Sequence, residues 1–350
     1  LPNGLSTSPM LFTKILKPVF TSLKESSHTV IGYLDDTIII SRSIVQAKRA
    51  VQATTEMLSS LGFIIHDEKS VLEPTQVLQF LGFKLDTVDF SVKVPNEKAQ
   101  DIIQSCEYLS NKTKPSIREV AKTIGKIVAV FPAAQYGPLH YRSLETEKIM
   151  ALRANYGHFD RTMVLSEQAK HELQWWIENI RDSYSPISRE NISVEIRTDA
   201  SGAGWGATNL HTQTVGRWNE AEMEKARDNK INYLELLAVG LGLKSFCSKM
   251  QNVHILARID NTTAVTYMNN MGGVKSQECN QIAYEIWKWC IERNIWITAS
   301  YIPGKLNTEA DDKSRKFNDR TEWMLSKQAF KRIGKEFGQP EIDLFASRLN

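Results

Sequence analysis

The chain has 350 residues, enough for two or three domains, and its 42% hydrophobic and 24% charged content is ordinary for a globular protein with a buried core. A formal net charge of +3 permits a nucleic-acid partner without requiring one. No apolar run approaches the ~20 residues of a membrane span, so we predict no membrane association. The four cysteines form no CxxC pair and no zinc-type cluster, which predicts reduced thiols in an intracellular protein.

The first part of the chain, residues 1–94, mixes helical and strand patterns. Helices are predicted in "SPMLFTKILKPVFTSL" and in "SIVQAKRAVQATTEMLSSLGF", the second ending at Gly62. Strands are predicted in "HTVIGYLDD" and "TIIIS", around a tight turn, and "VLQFLGFKLD" with "FSVKVP" predicts a further short hairpin. Two adjacent acids, Asp35 and Asp36, lie where the first two strands meet. Either this is an ordinary hairpin turn, or the strands hold the acids in place for chemistry.

The middle part, residues 95–189, is almost entirely helical in pattern, and "SYSPISREN" at its end predicts a linker. Core or interdomain packing is predicted for Ile127, Val128, Trp175 and Trp176. Basic residues four positions apart along one helix are Arg118, Lys122 and Lys126. They could follow a phosphate backbone, or form a solvated face, and the sequence favours neither interpretation.

The third part, residues 190–317, opens with three strand patterns and then alternates strands with helices. This order predicts a mixed five-stranded sheet with helices packed on it. The fold class predicted for the whole chain is therefore α+β with several domains, and residues 318–350 form a C-terminal extension.

Four carboxylates of the third part carry the strongest chemical signal. Asp199 and Asp260 end two strands, Glu235 lies in the helix that follows the first three strands, and Asp311 opens a short helical stretch. Strand ends and helix starts that meet at one sheet edge bring such acids together. Two Mg²⁺ ions (or Mn²⁺) about 3.5–4 Å apart need this many oxygen ligands to align a water for attack on a phosphodiester. Any one of these acids alone is more simply explained as a helix cap or a solvated turn residue.

Four segments of the third part resemble the four motif blocks of a retroelement-type ribonuclease H. They are "RTDASGAGWGA", "NYLELLAV", "ARIDNTTAVTYMNN" and "YIPGKLNTEADDKSR". The resemblance implies that Asp199, Glu235, Asp260 and Asp311 bind the two metal ions and that Asn261 and Thr262 contact the RNA–DNA hybrid. Gly202, Gly204 and Gly206 would allow a tight turn beside Asp199. One departure is Tyr301, which stands where that family usually has a histidine on a mobile loop.

The opening segment resembles a second family. "YLDD" (Tyr33 to Asp36) is similar to the YxDD box of reverse transcriptases, "LPNGLSTSPMLFTK" to the preceding block, "LGFIIHDEKS" to the next block, and "LQFLGFKLD" to the primer-grip hairpin. The resemblance implies that Asp35 and Asp36 bind catalytic magnesium ions. It implies contacts with nucleotide, template or primer at Gly4, Ser8, Tyr33 and Lys69.

These resemblances assign the domains. Residues 1–94 would be a partial reverse-transcriptase palm, 95–189 a helical thumb and connection, and 190–317 a ribonuclease H-like domain. Polymerases of this family also use an aspartate from an earlier palm strand, upstream of the LPxG block with which this chain begins. We therefore expect a piece of a longer polypeptide that does not polymerise by itself.

The tail "QPEIDLFASRLN" resembles the segment after ribonuclease H in DIRS-like elements, the retrotransposons that carry a tyrosine recombinase. The leading hypothesis is a fragment of such a polyprotein that cleaves the RNA strand of an RNA–DNA hybrid and binds template–primer nucleic acid. The alternative is a non-catalytic nucleic-acid-binding relic of a retrotransposon. A weaker third hypothesis is a structural protein that has kept the fold.

Overall fold

The structure, a computed structural model, describes residues 4–210, 212–228, 230–315 and 326–338. Contacts between residues divide the chain into two units. The first unit comprises Leu1–Asp101, Pro132–Gln135 and Asn179–Ile187, and the second comprises Ile102–Phe131, Tyr136–Glu178 and Ser188–Asn350. The domain boundaries at residues 94, 189 and 317 stay a prediction, and the tail "QPEIDLFASRLN" lies outside the described residues.

The first unit contains two helices and two small antiparallel sheets. The helices are α1 (Ser8–Glu25) and α2 (Ile44–Ser60). The strands are β1 (Thr29–Tyr33), β2 (Asp36–Ile40), β3 (Val77–Phe80), β4 (Phe83–Asp86), β5 (Ser91–Lys93) and β6 (Tyr184–Pro186). Strands β1 and β2 form one sheet, and β3 to β6 form the other in chain order. The predicted helices, the β1–β2 hairpin and the β3–β4 hairpin are thus all present.

Apolar residues of α1 pack against the β1–β2 hairpin. Val19 and Leu23 of α1 and Val30 of β1 are buried together. The ring of Phe20 lies where a Cβ on Gly32 would stand, 2.2 Å from the Phe20 Cε2 atom, so a larger residue at this strand position would require the ring to move. Helix α1 therefore packs closely on the β1–β2 hairpin. This packing fixes the position of the hairpin, which carries Asp35 and Asp36.

The "SYSPISREN" stretch is not simply a linker, because three of its residues form β6 and pair antiparallel with β5. The predicted hairpin at residues 77–93 is therefore part of a four-stranded sheet. Its β3–β4 turn has positive φ at Leu81 (49°) and Gly82 (74°), the combination that tight two-residue hairpins require.

Four helices cover the middle of the chain: α3 (Asn96–Asn111), α4 (Ile117–Val128), α5 (Arg142–Ala154) and α6 (Glu167–Asn179). Ser116 and Glu119 form a capping box at the start of α4. Ile127 and Trp176 are fully buried, as predicted, and Trp176 Nε1 donates to the His140 carbonyl at 2.6 Å. The prediction for Val128 is wrong, because adjacent helical residues point about 100° apart and Val128 is 41% exposed.

The basic residues of α4 make contacts within the protein. Arg118 donates to both carboxylate oxygens of Asp160, at 2.7 and 3.1 Å, and Lys126 donates to Ser105 Oγ at 2.9 Å. Lys122 is exposed. Two of the three cations therefore have protein partners, and the choice between a solvated face and a row that follows phosphates stays open.

The mixed sheet of the second unit has the strand order β11-β10-β7-β8-β9. Its strands are β7 (Val194–Ala200), β8 (Gly204–Asn209), β9 (Thr212–Arg217), β10 (Val253–Ile259) and β11 (Ile295–Tyr301). The pairs β7–β8 and β8–β9 are antiparallel, whereas β7–β10 and β10–β11 are parallel. The predicted five-stranded mixed sheet is confirmed, as is the α+β class.

The helices that follow β9 in chain order are α7 (Glu220–Arg227), α8 (Ile231–Cys247), α9 (Thr262–Asn269), α10 (Gln277–Ile291), α11 (Thr308–Arg315) and α12 (Lys327–Phe337). Helix α8 packs on one face of the sheet, where a Cβ on Gly242 would lie 3.0 Å from Ala207 Cβ. Helix α11 packs on the opposite face, because it contacts Gly206, the neighbour of Ala207 in β8. The sheet is thus covered on both sides near the end of β7.

All four cysteines are buried and free of disulfides. Among the helices of the described residues, none combines the length and the apolar character that crossing a membrane requires.

Candidate divalent-metal site

Strand β7 places Asp199 beside the sheet edge at which β10 ends. Asp199 is the penultimate residue of β7, is buried, and pairs in register with Gly206 of β8. Burial, together with the charges of Asp260 and Asp311, raises the pKa of Asp199 to about 6. A hydrogen bond with the Ser314 side chain and the charge of Arg315 oppose this rise.

Glu235 enters the same place from the second turn of α8 and is also buried. Burial, and then the charges of Asp199 and Asp260, raise the pKa of Glu235 to about 9, although a hydrogen bond with the Ala200 backbone acts in the opposite direction. A glutamate with this pKa is protonated near neutral pH when nothing positive is close to it.

Asp260 follows the last residue of β10 and is half-buried. Burial raises the pKa of Asp260, the nearby charge of Asp311 raises it further, and a hydrogen bond shared with Glu235 lowers it. The pKa values of all three acids are therefore raised, each by burial first and then by the charge of at least one neighbouring acid, which for Asp260 is Asp311.

One carboxylate oxygen from each of Asp199, Glu235 and Asp260 lies within 4.8 Å of the others. Among the described residues, Asp199 Oδ2 and Glu235 Oε2 are buried without a hydrogen-bond partner. Buried carboxylates normally have partners, and a group that consists only of oxygen ligands suits a hard divalent cation such as Mg²⁺. The residues present therefore fit the ion that the sequence predicts.

Asp311 lies in the first turn of α11 and is not part of that group of three. It is half-exposed and forms an ion pair with Arg315 at 2.7 Å. Its charge nevertheless raises the pKa of both Asp199 and Asp260. The structure thus brings three of the four predicted ligands together and places the fourth at the margin. Their assignment as metal ligands stays a prediction.

Gly206, near Asp199, has a steric role that was not predicted from the sequence. None of Gly202, Gly204 and Gly206 has a positive φ, so none is needed for a left-handed turn. A Cβ on Gly206 would lie 2.5 Å from the Ala310 carbonyl and 2.7 Å from the Ser314 nitrogen. Gly206 therefore allows the backbone of α11 to lie directly on β8.

Tyr301 ends β11 and is 49% exposed. Strand β11 pairs with β10 so that Tyr301 is opposite Ile259, the residue before Asp260. An exposed phenol thus occupies the strand end where the resembled family has its loop histidine.

The hybrid-contact predictions for Asn261 and Thr262 stay untested. Asn261 caps α9, since its side chain accepts from the Ala264 nitrogen at 2.9 Å, and it also donates to Asn232 Oδ1 at 2.8 Å. Thr262 is the first residue of α9 and is exposed. Asn261 thus holds the segment after Asp260, while Thr262 is open to a partner.

Sequence reasoning missed three residues that hold α11 near the acids: Ser201, Asn307 and Ser314. Ser201 Oγ donates to the Ser314 carbonyl at 2.6 Å, and Ser314 is fully buried. Asn307 Nδ2 donates to the Thr198 carbonyl at 3.0 Å. The sequence contained one signal for Asn307: it is a polar residue directly before a helix that has two acids in its first turn, the position of a helix cap.

In the first unit, Asp35 and Asp36 are exposed in the β1–β2 hairpin. Tyr33 pairs with Asp36, so Leu34 and Asp35 form a two-residue turn. Among the described residues, no third acid joins these two in a group with metal-ligand spacing. The hairpin is present as predicted, and the metal-binding role of its acids stays a prediction.

Leu34 adopts a φ of 54°, a left-handed conformation that costs a bulky residue about 1–2 kcal/mol. We expect Leu34→Asn to stabilise the first unit by about 1 kcal/mol, because asparagine tolerates this conformation. Urea unfolding measures the change. Leu61→Asn is the control, since the exposed Leu61 has a φ of −90°. Equal effects of the two substitutions would show that Leu34 carries no strain.

The other predicted contacts of the first unit are on its surface. Gly4 has a φ of 89° and open space around it, and Ser8 begins α1. Tyr33 is 59% exposed, and Lys69 is exposed at the end of a short 3-10 helix, Asp67–Lys69. Gly4, Tyr33 and Lys69 are exposed and accessible to a partner, whereas Ser8 is half-buried, and the binding roles of all four stay predictions.

Comparisons with known proteins agree with the sequence motifs of the first unit. Residues 1–85 match the family model "Reverse transcriptase (RNA-dependent DNA polymerase)". The chain is 23% identical over 325 residues to a "Putative enzymatic polyprotein" of Cassava vein mosaic virus, covering 90% of this chain and 47% of that protein. It is 23% identical over 336 residues to the "Transposon Tf2-3 polyprotein" of Schizosaccharomyces pombe, covering 90% of this chain and 22% of that protein.

Among solved structures, a foamy viral protease-reverse transcriptase in complex with double-stranded DNA is similar over 86% of this chain and 50% of that chain, with 15% identity and a TM-score of 0.46. The chain spans about half or less of the length of the curated relatives it matches. Its first 85 residues are thus similar to reverse transcriptases, and nine-tenths of it is similar to viral and transposon polyproteins, which supports a retroelement reverse transcriptase.

Proposed function

We propose that this chain is part of a retroelement reverse transcriptase/ribonuclease H polyprotein and that its second unit hydrolyses the RNA strand of RNA–DNA hybrids. The observation that carries the proposal is the group of three carboxylates, Asp199, Glu235 and Asp260, whose ligand oxygens lie within 4.8 Å of one another. These acids come from three different parts of the fold, and Asp199 and Glu235 are buried. They are the acids that the ribonuclease H motif blocks predict.

The four acids act together as metal ligands in this proposal. Asp199, Glu235 and Asp260 hold divalent cations with their crowded oxygens, and Asp311 adds a ligand from the margin of the group. Two bound Mg²⁺ or Mn²⁺ ions would supply an activated water and stabilise the leaving 3′ oxygen. Thr262, exposed beside Asp260, contacts the hybrid, and Asn261 keeps this segment in place through its cap. Selectivity for RNA comes from 2′-hydroxyls across the wide minor groove.

The first unit has a supporting role in this proposal. Asp35 and Asp36 bind catalytic magnesium ions, and Gly4, Ser8, Tyr33 and Lys69 contact nucleotide, template or primer. Polymerisation belongs to a longer parent chain. The exposed β1–β2 turn supports this view, because Asp35 and Asp36 stand without a third acid among the described residues. The DIRS-like subtype rests on the tail sequence alone and stays a prediction.

The test is cleavage of a labelled RNA–DNA hybrid by the purified chain with and without Mg²⁺. We expect cleavage of the RNA strand only when the ion is present, and none with the matched variant Asp260→Asn. Absence of cleavage by the unchanged chain, or equal cleavage by the variant, would contradict the proposal.

A second candidate is a non-catalytic nucleic-acid-binding relic. Two observations favour it: Tyr301 at the histidine position, and Asp311 paired with Arg315 rather than grouped with the other acids. Hybrid binding without turnover in the same experiment would establish this candidate.

A further inference from the structure

Asn307 is a buried polar residue whose side chain bonds the strand that carries Asp199. It is 1% exposed and precedes α11. Its Nδ2 donates to the Thr198 carbonyl at 3.0 Å, while its Oδ1 is buried without a hydrogen-bond partner among the described residues. A buried amide that is only half satisfied gives little net stability, so its placement calls for another explanation.

The partner of Asn307 lies at the point where a strand ladder ends. Thr198 pairs with Ile259, the last residue of β10, and it directly precedes Asp199. The amide of Asn307 therefore bonds the backbone of β7 at the residue before Asp199. This is the level of the sheet at which β10 ends.

Asn307 also bonds to the fourth acid through its own backbone. The Asp311 nitrogen donates to the Asn307 carbonyl at 3.0 Å, which is the first hydrogen-bonded turn of α11. One residue thus connects Asp199 and Asp311, through Thr198 on one side and the start of α11 on the other.

The segment before Asn307 passes close to Asp260. The Ile302 nitrogen donates to the Ile259 carbonyl at 3.0 Å, and a Cβ on Gly304 would lie 3.3 Å from Asp260 Oδ2. The Asn307 nitrogen then donates to the Gly304 carbonyl at 3.0 Å. The segment is consequently held at β10 and at β7, and passes close to Asp260, before α11 begins.

We propose that Asn307 is a positioning residue that fixes Asp311 relative to Asp199, Glu235 and Asp260 and thereby sets the affinity for a second divalent cation. The inference rests on the two-metal function proposed above. The group of three is held by its own strands and helix, so it keeps a first cation without Asn307. Asp311 stands on a short helix whose start is joined to β7 by the Asn307 side chain, so the second cation depends on this hydrogen bond.

The experiment counts bound Mn²⁺ ions by electron paramagnetic resonance on the full chain, for the unchanged protein, Asn307→Ala and Asn269→Ala. Asn269 is the matched control, because its amide bonds the Ala299 backbone in the same unit, away from Asp311. We expect Asn307→Ala to keep the first ion and to bind the second about tenfold or more weakly, the usual effect of groups that orient metal ligands. Asn269→Ala should leave both ions unchanged.

A double-mutant cycle with Asp311→Asn separates positioning from general damage. If Asn307 acts through Asp311, adding Asn307→Ala to Asp311→Asn weakens the second ion no further. Asn307→Ser, which keeps a small polar residue before α11, is the second variant should the alanine variant not fold.

Unchanged binding of the second ion in a folded Asn307 variant would overturn the inference, as would an equal loss in Asn269→Ala or fewer than two ions on the unchanged chain. Hybrid cleavage is measured separately on the same samples. If the unchanged chain binds two ions but cleaves no hybrid, the proposed function fails, while the ion counts still decide the role of Asn307.

Discussion

Glu235→Gln is expected to abolish metal-dependent hybrid cleavage and, at the same time, to stabilise the metal-free protein. Glu235 is buried beside Asp199 and Asp260, and this environment raises its pKa from 4.5 to about 9. Glutamine keeps the shape of the side chain but cannot ionise. The variant thus removes a metal ligand and a source of repulsion in one step.

The pH dependence follows from the direction of the shift. Because the folded-state pKa lies above the unfolded-state value, the folded protein retains a proton that the unfolded chain releases between about pH 4.5 and pH 9. Stability is therefore lost as pH rises through this window, by at most about 1.4 kcal/mol per pH unit for one group. We expect the glutamine variant to be more stable than the unchanged chain by about 2 kcal/mol at pH 7, and by almost nothing at pH 4.

Urea unfolding of both proteins at pH 4, 7 and 9, with and without Mg²⁺, measures this prediction. Mg²⁺ should stabilise the unchanged chain, since a ligand that binds only the folded state shifts the equilibrium toward it. It should have little effect on Glu235→Gln. The control is Glu285→Gln on the exposed side of α10, for which a change within about 0.5 kcal/mol is expected. A variant less stable than the unchanged chain at pH 9 would show that burial and the neighbouring acids do not raise the pKa of Glu235.

The grouping of Asp199, Glu235 and Asp260 could be predicted from sequence because it depends on local patterns. Alternating apolar residues place an acid at the end of β7 and another directly after β10, and parallel neighbours end at the same sheet edge. The helical spacing around Glu235 puts its side chain on the face of α8 that covers this edge. Each step uses only the period of one element and the order of the elements.

The position of α11 could not be predicted in this way. It depends on contacts between residues that are far apart in sequence, such as Asn307 with Thr198 and Ser201 with Ser314. The motif blocks identify Asp311, but no local pattern shows that it lies outside the group of three.

Strand β6 was missed for a similar reason, since its three residues are a strand only because β5 offers them a partner. Helix α7 was missed although Asn219 and Glu222 form a capping box, a signal that the sequence does contain.

Gly206→Ala is expected to destabilise the second unit by about 2–3 kcal/mol and to raise the Mg²⁺ concentration needed for half-maximal cleavage. The added Cβ would meet the Ala310 carbonyl at 2.5 Å and the Ser314 nitrogen at 2.7 Å, and both are backbone atoms of α11. A helix backbone cannot rotate away as a side chain can, so the whole helix has to shift from β8. Overpacking of this kind typically costs about 1–3 kcal/mol.

The matched control is Gly202→Ala, four residues earlier, where an added Cβ meets nothing within 4 Å and φ is not left-handed. It should change stability by less than about 0.5 kcal/mol. Urea unfolding and the Mg²⁺ dependence of cleavage are measured on both variants. Gly206 pairs with Asp199, and the atoms that an added Cβ would meet all belong to α11, which carries Asp311. A shift of α11 therefore changes the distance between Asp199 and Asp311 without removing any ligand. If Gly206→Ala matches Gly202→Ala in both measurements, the close contact between α11 and β8 does not position the fourth acid.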